Sequence, residues 1–371
     1  MDFSYSEDQE SVRDLARQIF SDTVTIERLK QVEAGSDCFD RELWRDLGAA
    51  GLLGVAIPET HGGSGFGLTE LNLVLEQQGA RTALVPVFAS LAMAAAPLVA
   101  FGSEVQQRQL LPGLASGELI MTGAYAEAGA SADGIPSTVA CRQADGWLLT
   151  GTKVAVRAAH LARHALVSAR SDAGDVGLFI VDLQADGVTV TSQRTTTREF
   201  EATLTLQDVA VAADQQLGNL ADGQLMLDWI QSVSAVALAA LQLGVSREAL
   251  TITAAYVSER EQFGRPIGSF QAIAQRAADC YIDLQAMDST FIEATWRLSE
   301  ALPCAEQAAI AKWWACRGGQ RIAYACQHMH GGMGADIDYP VHRYFLWSKR
   351  LELDAGGGAS QLSRLGQLLR G

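Results

Sequence analysis

Three residues in the C-terminal half of the chain have side chains that suit a nucleotide. They are Arg260, Gln262 and Phe263, within the segment SEREQFGRPIGSFQ at residues 258–271. A guanidinium group binds pyrophosphate oxygens, an amide forms hydrogen bonds, and an aromatic ring packs against a sugar or a base. A long apolar helical pattern precedes the segment, so the three side chains are predicted to meet at a helix end. The same residues also fit an ordinary helix end at Gly264, with Arg260 simply solvated.

The composition is that of a globular protein with more than one domain. The chain has 371 residues, 48% of them hydrophobic, and a net charge of −15. Such a length exceeds a single hydrophobic core. The negative charge argues against nucleic acid and an anionic membrane as partners, because both would repel the chain. The acidic start, MDFSYSEDQE, has no apolar segment typical of a signal peptide, so a cytoplasmic location is expected.

Cysteine and histidine residues give no sign of a metal site. The six cysteines form no C-x-x-C pair, which predicts reduced and mostly buried thiols. His328, His330 and His342 lie in a glycine loop and in a Tyr-Pro-Val turn, without ligand spacing or a carboxylate partner. We therefore expect structural or phosphate-side roles for these histidines and no metal.

Hydrophobic periodicity divides the chain into three domains, and the predicted fold class is α+β multidomain. A capping-box pattern begins at Ser6, and residues 1–118 are predicted to form an N-terminal helical domain. Residues 119–222 contain short runs such as HALVSA and GLFIVDL between turn residues, which predict a middle antiparallel β domain. Residues 223–371 predict a C-terminal four-helix bundle around the apolar segment 227–257.

This order of domains resembles the acyl-CoA dehydrogenase family of flavoproteins along essentially the whole chain. GLLGVAIPETHGGSG (51–65) and DGWLLTGTK (145–153) are similar to a loop and a hairpin of that family. The more specific similarities are SEREQFGRPIGSFQ and HMHGGMGADIDYPVHRYF (328–345). The resemblance implies an FAD-dependent oxidoreductase that acts on an acyl-CoA thioester, with an electron-transfer flavoprotein as the electron acceptor.

The glutamate that abstracts a proton in this family is missing from both of its usual places. The resemblance puts the first place at Gly357, in the segment GGASQL, and glycine has no group that accepts a proton. Some relatives carry the glutamate on the long helix, where this chain has Ser234 and no acid within residues 229–246. Asp354 and Glu352 are weak substitutes, because proton abstraction demands a closely positioned carboxylate.

The residues that face the flavin ring in the family are also replaced. The segment AEAGASAD resembles a Thr-Glu-Pro-Gly-Ala-Gly-Ser-Asp turn whose Thr, Pro and Ser are here Ala126, Ala128 and Ala132. After GTK, relatives have Trp-Ile-Thr, whose ring packs on the flavin and whose hydroxyl reaches it. This chain has Ala155, Val156 and Arg157 at those places. The resemblance therefore implies that the chain's own β domain has lost contacts to the flavin ring.

The residues that hold the ADP half of FAD on a neighbouring subunit are, by contrast, largely kept. In the family they come from the end of the long helix and from a Gln-x-x-Gly-Gly loop. The matching residues are Arg260, Gln262, Phe263, Gln271, His328, Gly331 and Gly332. His328 stands where glutamine is usual, and its imidazole still donates a hydrogen bond.

These similarities favour a base-lacking subunit of a heteromeric acyl-CoA dehydrogenase. A homologous chain would supply the catalytic glutamate and the flavin-facing β domain, in an α2β2 assembly. FDRELWRDL (39–47), GSFQAIAQRAADCYID (268–283) and YPVHRYFLWSKR (339–350) resemble partner chains of actinobacterial enzymes that act on steroid side-chain CoA thioesters. Two alternatives remain. One is a self-sufficient acyl-CoA dehydrogenase or flavin oxidase with an unusual base such as Asp354, and the other is a non-catalytic scaffold without cofactor.

Overall fold

The described residues form two compact units. The structure is a computed structural model and describes residues 3–129 and 134–370. The first unit is formed within Met1–Gln31, Asn72–Ala83 and Ser234–Gly371, and the second within Val32–Leu71 and Leu84–Val233. Each unit combines segments that are separated in the sequence, so each core depends on contacts between distant parts of the chain.

The N-terminal part of the chain is helical, as predicted. Its helices are α1 (Glu7–Thr23), α2 (Ile26–Ala34), α3 (Arg41–Ala49), α4 (Leu68–Arg81), α5 (Ala96–Phe101) and α6 (Glu104–Ser116), with a 3-10 turn at Glu59–His61 and a π-helical segment at Phe88–Ala95. The predicted capping box begins α1, because the Ser6 hydroxyl accepts a hydrogen bond from the Gln9 N–H at 3.2 Å and the Gln9 side chain accepts one from the Ser6 N–H at 3.0 Å. These bonds satisfy amide groups that a helix leaves unpaired at its start.

One eight-stranded sheet forms the middle of the chain. Its strands are β1 (Met121–Ala124), β2 (Val139–Gln143), β3 (Gly146–Arg157), β4 (His164–Ser171), β5 (Val176–Asp182), β6 (Val188–Arg194), β7 (Phe200–Ala212) and β8 (Gln216–Leu217), with 3-10 turns at Ala213–Gln215 and Leu220–Asp222. The hydrogen-bonded order is β6-β7-β3-β2-β4-β5-β8, and β1 pairs with β4. The pairs are antiparallel, as predicted, except that β1 and β2 each run parallel to β4.

One face of the sheet packs into a continuous apolar core. Along β7, the buried residues Ala202, Leu204 and Leu206 alternate with more exposed neighbours, which is the period of a strand with one buried face. Trp147 of β3 meets Phe179 of β5 edge to face, with ring centroids 5.4 Å apart. This packing fixes β3, the strand that carries the residues expected near a flavin.

The C-terminal part is a helical bundle, as predicted. Its helices are α7 (Gly223–Glu259), α8 (Gln271–Ser299), α9 (Ala305–Met329), α10 (Val341–Leu353) and α11 (Gly358–Leu368), with short strands β9 (Glu261–Gln262) and β10 (Arg265–Pro266) and 3-10 turns at Ile267–Ser269 and Gly331–Ala335. The helical span Leu220–Glu259 is long and apolar enough to cross a membrane, but 89% of its most apolar window is buried within the protein. It is therefore the core helix of the bundle.

Two glycines let α7 lie against α4 at very short range. A Cβ atom on Gly244 of α7 would lie 1.9 Å from the carbonyl oxygen of Glu76, and one on Gly79 of α4 would lie 2.1 Å from that of Leu241. Side chains at either position would force the two backbones apart. Each helix thus contributes one glycine to the same close contact.

Candidate functional site

The three residues with nucleotide-binding side chains lie on a hairpin that follows α7. Gln262 pairs with Arg265 across β9 and β10, and the loop between them contains only Phe263 and Gly264. Both loop residues have positive φ, 56° and 78°, as the favoured two-residue hairpin turn requires. The backbone N–H of Ile267 donates to the Arg260 carbonyl at 2.8 Å, which joins the hairpin to the helix end.

Phe263 has an unusual backbone conformation and an unusual exposure. A bulky residue at positive φ is strained, and such strain concentrates at functional positions. Its ring is 95% exposed, although burial of a phenylalanine side chain would stabilise the fold. The ring of Phe270 meets it edge to face at 6.2 Å, and the Arg265 guanidinium lies 4.2 Å from the centre of the Phe270 ring. Phe270 therefore packs against the hairpin, while the Phe263 ring projects into solvent.

Arg260 and Gln262 are exposed beside Phe263. Arg260 forms no ion pair with any residue in the described part of the chain, and the side-chain amide of Gln262 donates only to the neighbouring Glu261 carbonyl, at 2.7 Å. Gln271 is the first residue of α8 and is also exposed. An unpaired guanidinium, an amide and an aromatic ring on one hairpin fit the pyrophosphate and ribose or base of a dinucleotide.

The predicted glycine loop follows α9 and is linked to the end of α7. The imidazole of His330 stacks on Tyr256 of α7 with ring centroids 4.5 Å apart, one helical turn before Arg260. Gly331 has a φ of 57°, and a Cβ atom on Gly331 or on Gly332 would meet nothing within 4 Å. These backbone groups are therefore open to close approach by a ligand. The structure thus brings the loop and the α7 end into one region.

The three histidines of this region differ in their surroundings. His328 is exposed at the end of α9. His330 is only 2% exposed, its Nδ1 lies 2.9 Å from the Cys326 carbonyl oxygen, and burial lowers its pKa. His342 Nδ1 lies 2.7 Å from the Tyr339 carbonyl oxygen. His330 and His342 thus hold helix ends, and His328 alone among them is placed to reach a ligand.

At the predicted base position, the structure has a turn without an acidic side chain of its own. Gly356 has a φ of 86°, and Gly357 is the N-cap residue that precedes α11. Asp354 pairs with Arg350 at 3.7 Å, and Glu352 pairs with Lys349 at 2.9 Å. Both acids near the turn are therefore engaged with cations of α10.

The alternative base position on α7 is equally without an acid. Ser234 is 5% exposed, and no acidic residue occurs within residues 229–246. Neither position at which the resemblance predicts a catalytic carboxylate therefore has an acidic side chain.

The turn expected near a flavin is held by a buried ion pair that the sequence analysis missed. Glu127 and Lys153 have side chains 4% and 0% exposed, and their charged atoms lie 2.6 Å apart. The same carboxylate accepts hydrogen bonds from Thr138 and Ser137. Its pKa is pushed upward by burial, but the hydrogen bonds from Lys153, Ser137 and Thr138 outweigh that effect and hold it at about 2. Ala132 lies outside the described residues.

The positions that carry Trp-Ile-Thr in relatives are remodelled by a bulge in β3. The register with β7 shifts between Lys153 and Val156, and Ala155 in between has a φ of 52°. Val156 is buried in the sheet core, and the Arg157 guanidinium lies 5.1 Å from the centre of the Phe88 ring. These positions supply neither an aromatic stacking surface nor a hydroxyl, so they do not fit a flavin ring.

No cluster of metal-binding side chains accompanies these residues. Within residues 3–129 and 134–370, no three His, Cys, Asp or Glu side chains gather in a way that could hold a metal ion. The side chains at the α7 hairpin are of types that suit an anionic, ring-containing ligand.

Family models cover nearly the whole chain. The N-terminal, middle and C-terminal domains of acyl-CoA dehydrogenase match residues 6–118, 122–209 and 229–369. The chain is 38% identical to acyl-CoA dehydrogenase FadE27 of Mycobacterium tuberculosis over 377 residues, which cover 100% of this chain and 99% of the relative. Acyl-CoA dehydrogenase FadE28 of the same organism is 32% identical, over 92% of this chain and 97% of its own length.

Solved structures with the same fold include two assemblies of paired chains. A chain of the ChsE4-ChsE5 complex from Mycobacterium tuberculosis superimposes with a TM-score of 0.94 at 38% identity, covering 100% of this chain and 99% of that chain. A chain of a variant of the Tcur3481-Tcur3483 steroid ACAD has a TM-score of 0.92 at 43% identity, with 98% of each chain covered. From its sequence and its fold, the chain belongs to the acyl-CoA dehydrogenase family.

Proposed function

We propose that this chain is the base-lacking subunit of a heteromeric, FAD-dependent acyl-CoA dehydrogenase. A homologous partner supplies the catalytic glutamate and the seat of the flavin ring, and this chain holds the ADP half of the partner's FAD. The observation that carries the proposal is Phe263, a strained aromatic residue that is 95% exposed beside the unpaired Arg260. Exposure of this apolar ring to water is unfavourable in free energy. A ligand or partner that covers the ring would remove that penalty.

The residues at the predicted base positions and the residues of the α7 hairpin support these separate roles for the two chains. Gly357 and Ser234 provide no proton acceptor at the two usual positions. FAD bound mainly by the partner would supply the hydride acceptor, and a glutamate of the partner would supply the proton acceptor. In this chain, Arg260 neutralises the pyrophosphate, Gln262 and Gln271 donate hydrogen bonds, and Phe263 covers an apolar face of the nucleotide. His328 and the backbone at Gly331 and Gly332 complete the contact.

A partner chain is further supported by the surface of α8. Over its first three turns, residues 271–282, Cys280 alone is buried, while Tyr281 and Ile282 are 58% and 64% exposed. A long bundle helix normally buries an apolar stripe in its own chain. This exposed surface of α8 directly follows the α7 hairpin, and a partner chain that packs against it would bury the apolar side chains.

The substrate and the cellular setting follow from the same family membership. We propose a steroid side-chain CoA thioester as the substrate, because a relative of 43% identity is described as a steroid ACAD. We further propose an α2β2 assembly in the cytoplasm, with an electron-transfer flavoprotein as the electron acceptor. We further propose that residues 1–118, 119–222 and 223–371 are the three domains of this chain.

Flavin content separates this function from its alternatives. The chain expressed alone should be colourless, and co-expression with the homologous chain should give a complex with flavin absorbance and acyl-CoA-dependent flavin reduction. A chain that is yellow and active by itself would instead identify a self-sufficient enzyme. A co-expressed complex without flavin would identify a scaffold.

Removal of one guanidinium tests the binding role directly. Arg260→Ala should weaken FAD retention in the complex by about 1 to 3 kcal/mol, because a charge-assisted bond to the pyrophosphate is lost. Arg17→Ala, which removes an exposed guanidinium from α1, is the control and should leave retention unchanged. Equal flavin occupancy in the two variants, measured by absorbance after dialysis, would refute a pyrophosphate role for Arg260.

A further inference from the structure

Lys312 and Cys316 are buried side by side on α9. They are one helical turn apart, their side chains are 0% and 1% exposed, and Lys312 Nζ lies 3.2 Å from Cys316 Sγ. Neither residue belongs to the nucleotide-binding region described above. A lysine is almost never fully buried unless its charge is paired, so its surroundings require an explanation.

The surroundings of Lys312 contain backbone oxygens and sulfur. Lys312 Nζ donates to the Leu351 carbonyl at 2.7 Å and lies 3.4 Å from the Glu352 carbonyl oxygen, and the Cys316 thiol donates to the same Glu352 oxygen at 3.3 Å. No carboxylate pairs with Lys312 among the residues that the structure describes. The lysine therefore caps the C-terminal end of α10, where the helix dipole favours a cation.

We propose that Lys312 and Cys316 form a covalent cross-link in which one oxygen atom joins the lysine nitrogen to the cysteine sulfur. The oxidant is dioxygen. The lysine reacts as the amine after its extra proton has passed to solvent. One N–H bond, the S–H bond and the O–O bond break, and an N–O bond and an O–S bond form. The second oxygen atom leaves as water with the two hydrogens, so nitrogen and sulfur are oxidised and dioxygen is reduced.

The geometry favours this product over an isolated oxidised cysteine. The nitrogen and the sulfur are already in contact, so a one-atom bridge needs no movement of the α9 backbone. The pair is covered by the end of α10, where Glu352 is half-buried and the next residue, Leu353, is 65% exposed. Opening of this single segment admits a small oxidant, because helix ends open at low free-energy cost.

Cross-linking changes the end of α10. The bridged nitrogen is uncharged and keeps one N–H, so the carbonyl groups of Leu351 and Glu352 lose charge-assisted hydrogen bonds. These carbonyls precede Gly357 by only a few residues, and Cys316 Cβ lies 3.6 Å from the place of a Cβ atom on Gly358. The oxidation state of the pair is therefore transmitted to the turn at the predicted base position. This inference does not depend on the proposed function.

Mass spectrometry of the full-length chain tests the cross-link. The chain is kept in air-saturated buffer or in dithiothreitol, denatured, and digested with trypsin. In air, trypsin should fail to cleave after Lys312, and the peptide covering residues 298–317 should gain the mass of one oxygen less two hydrogens. Dithiothreitol should restore both the cleavage and the unmodified mass.

Two variants control for other oxidations. Cys316→Ser keeps a hydrogen-bonding group but removes the sulfur, and should be cleaved at Lys312 in air as in dithiothreitol. Cys326→Ser removes a buried thiol whose pKa is raised to about 11 by burial, and should form the cross-link as the unchanged chain does. Gain of oxygen on Cys316 with normal cleavage at Lys312, loss of two hydrogens without gain of oxygen, or an unmodified peptide after prolonged exposure to air would each overturn the proposal.

Discussion

The ion pair between Glu127 and Lys153 is buried beside the sheet, with both side chains at most 4% exposed. It joins Glu127 to β3 near Ala126 and Ala155, two of the positions where the resemblance implies lost contacts to a flavin. An ion pair taken out of water stabilises a fold only when its remaining hydrogen-bonding groups are satisfied. Ser137, Thr138 and the Ser168 hydroxyl, 3.1 Å from Lys153 Nζ, meet that condition. Glu127 is thus held against β3 by a network of satisfied polar groups.

Loss of one member of this pair should destabilise the protein strongly. Glu127→Gln leaves the buried lysine without a counter-charge and should lower the free energy of unfolding by about 3 kcal/mol. Asp182→Asn is the control, because the Arg163–Asp182 pair is half-exposed, with side chains 46% and 35% accessible, and should cost less than about 1 kcal/mol. Urea unfolding followed by tryptophan fluorescence measures both. Equal losses in the two variants would contradict the importance of burial.

The same carboxylate should dominate acid stability. Because its pKa is about 2 in the fold instead of 4.5, the unfolded chain binds its proton first as the pH falls. Its contribution is fully present above pH 4.5 and is lost as the pH falls toward about 2. The difference in unfolding free energy between the unchanged chain and Glu127→Gln should therefore shrink over this window. A difference that stays constant down to the acid transition would show that another group controls it.

The two neighbouring glycines at the predicted base position should respond differently to glutamate. Gly357 has a φ of −72°, and a Cβ atom there would have the Glu352 carbonyl oxygen at 3.7 Å as its nearest neighbour, so Gly357→Glu should change stability by less than about 1 kcal/mol. Gly356 has a φ of 86°, so Gly356→Glu should cost roughly 1 to 2 kcal/mol more. Thermal unfolding compares them.

Gly357→Glu alone should not create activity. Under the proposed function a carboxylate at this position would have no flavin ring beside it, because Ala155 and Arg157 offer neither a stacking ring nor a hydroxyl. Acyl-CoA-dependent dye reduction by the variant, without a partner chain, measures this. Turnover under these conditions would show that the β domain still seats a flavin.

The sequence predicted some residues of the candidate site from their types, and only the structure gave their conformation and their contacts. Arg260 and Gln262 are recognisable in the sequence as candidates because a guanidinium, an amide and an aromatic ring occur together beside a predicted helix end, although an ordinary helix end fits the same residues. The positive φ of Phe263 is not recognisable, since sequence preferences place glycine or asparagine there. Glu127 and Lys153 are 26 residues apart, and only the folded backbone brings them together, where the Val154 N–H of β3 donates to the Ala126 carbonyl at 2.9 Å.

At the scale of elements, the close contact of α4 and α7 depends on glycine. Gly244→Ala should destabilise the protein by about 1 to 3 kcal/mol, because its Cβ atom would lie 1.9 Å from a backbone oxygen that cannot move alone. Gly366 in α11 has free space around it, since a Cβ atom there meets nothing within 4 Å. Gly366→Ala should therefore raise the free energy of unfolding by up to about 1 kcal/mol through helix propensity. Chemical unfolding of both variants measures the two changes, and destabilisation by Gly366→Ala would contradict the argument.

Strands were predictable individually, but their pairing was not. Short apolar runs between turn residues locate β3 to β7, although only some of them alternate, since β7 buries one face and β5 is buried along nearly its whole length. Periodicity carries no information about direction, and the parallel pairing of β1 and β2 with β4 follows from how the chain returns to the sheet. The helices were easier, since the apolar pattern of α7 extends over most of its 37 residues.

At the scale of the whole molecule, the first turns of α8 connect fold to assembly. Tyr281 and Ile282 are exposed, and a shallow groove beside them is lined by Arg276, Asp279, Asp283 and Arg321, with Arg321 bonded to Asp283 at 2.7 Å. An apolar patch rimmed by charges of both signs is typical of a protein interface. These charges restrict which partner can bind. A partner that placed a positive charge opposite one of the arginines, or a negative charge opposite one of the aspartates, would bind less well.

A charge placed within this patch should prevent assembly without unfolding the chain. Ile282→Glu introduces a carboxylate that the partner would have to desolvate, so the co-expressed complex should dissociate and lose its flavin. Val105→Glu is the control, because Val105 is 52% exposed on α6, away from α8 in the sequence, and should leave the complex intact. Light scattering coupled to gel filtration gives the mass of each complex, and absorbance gives its flavin. Because Ile282 is 64% exposed, the thermal unfolding of the isolated variant should match that of the unchanged chain. A full-sized, flavin-containing complex of Ile282→Glu would place the partner on a different face.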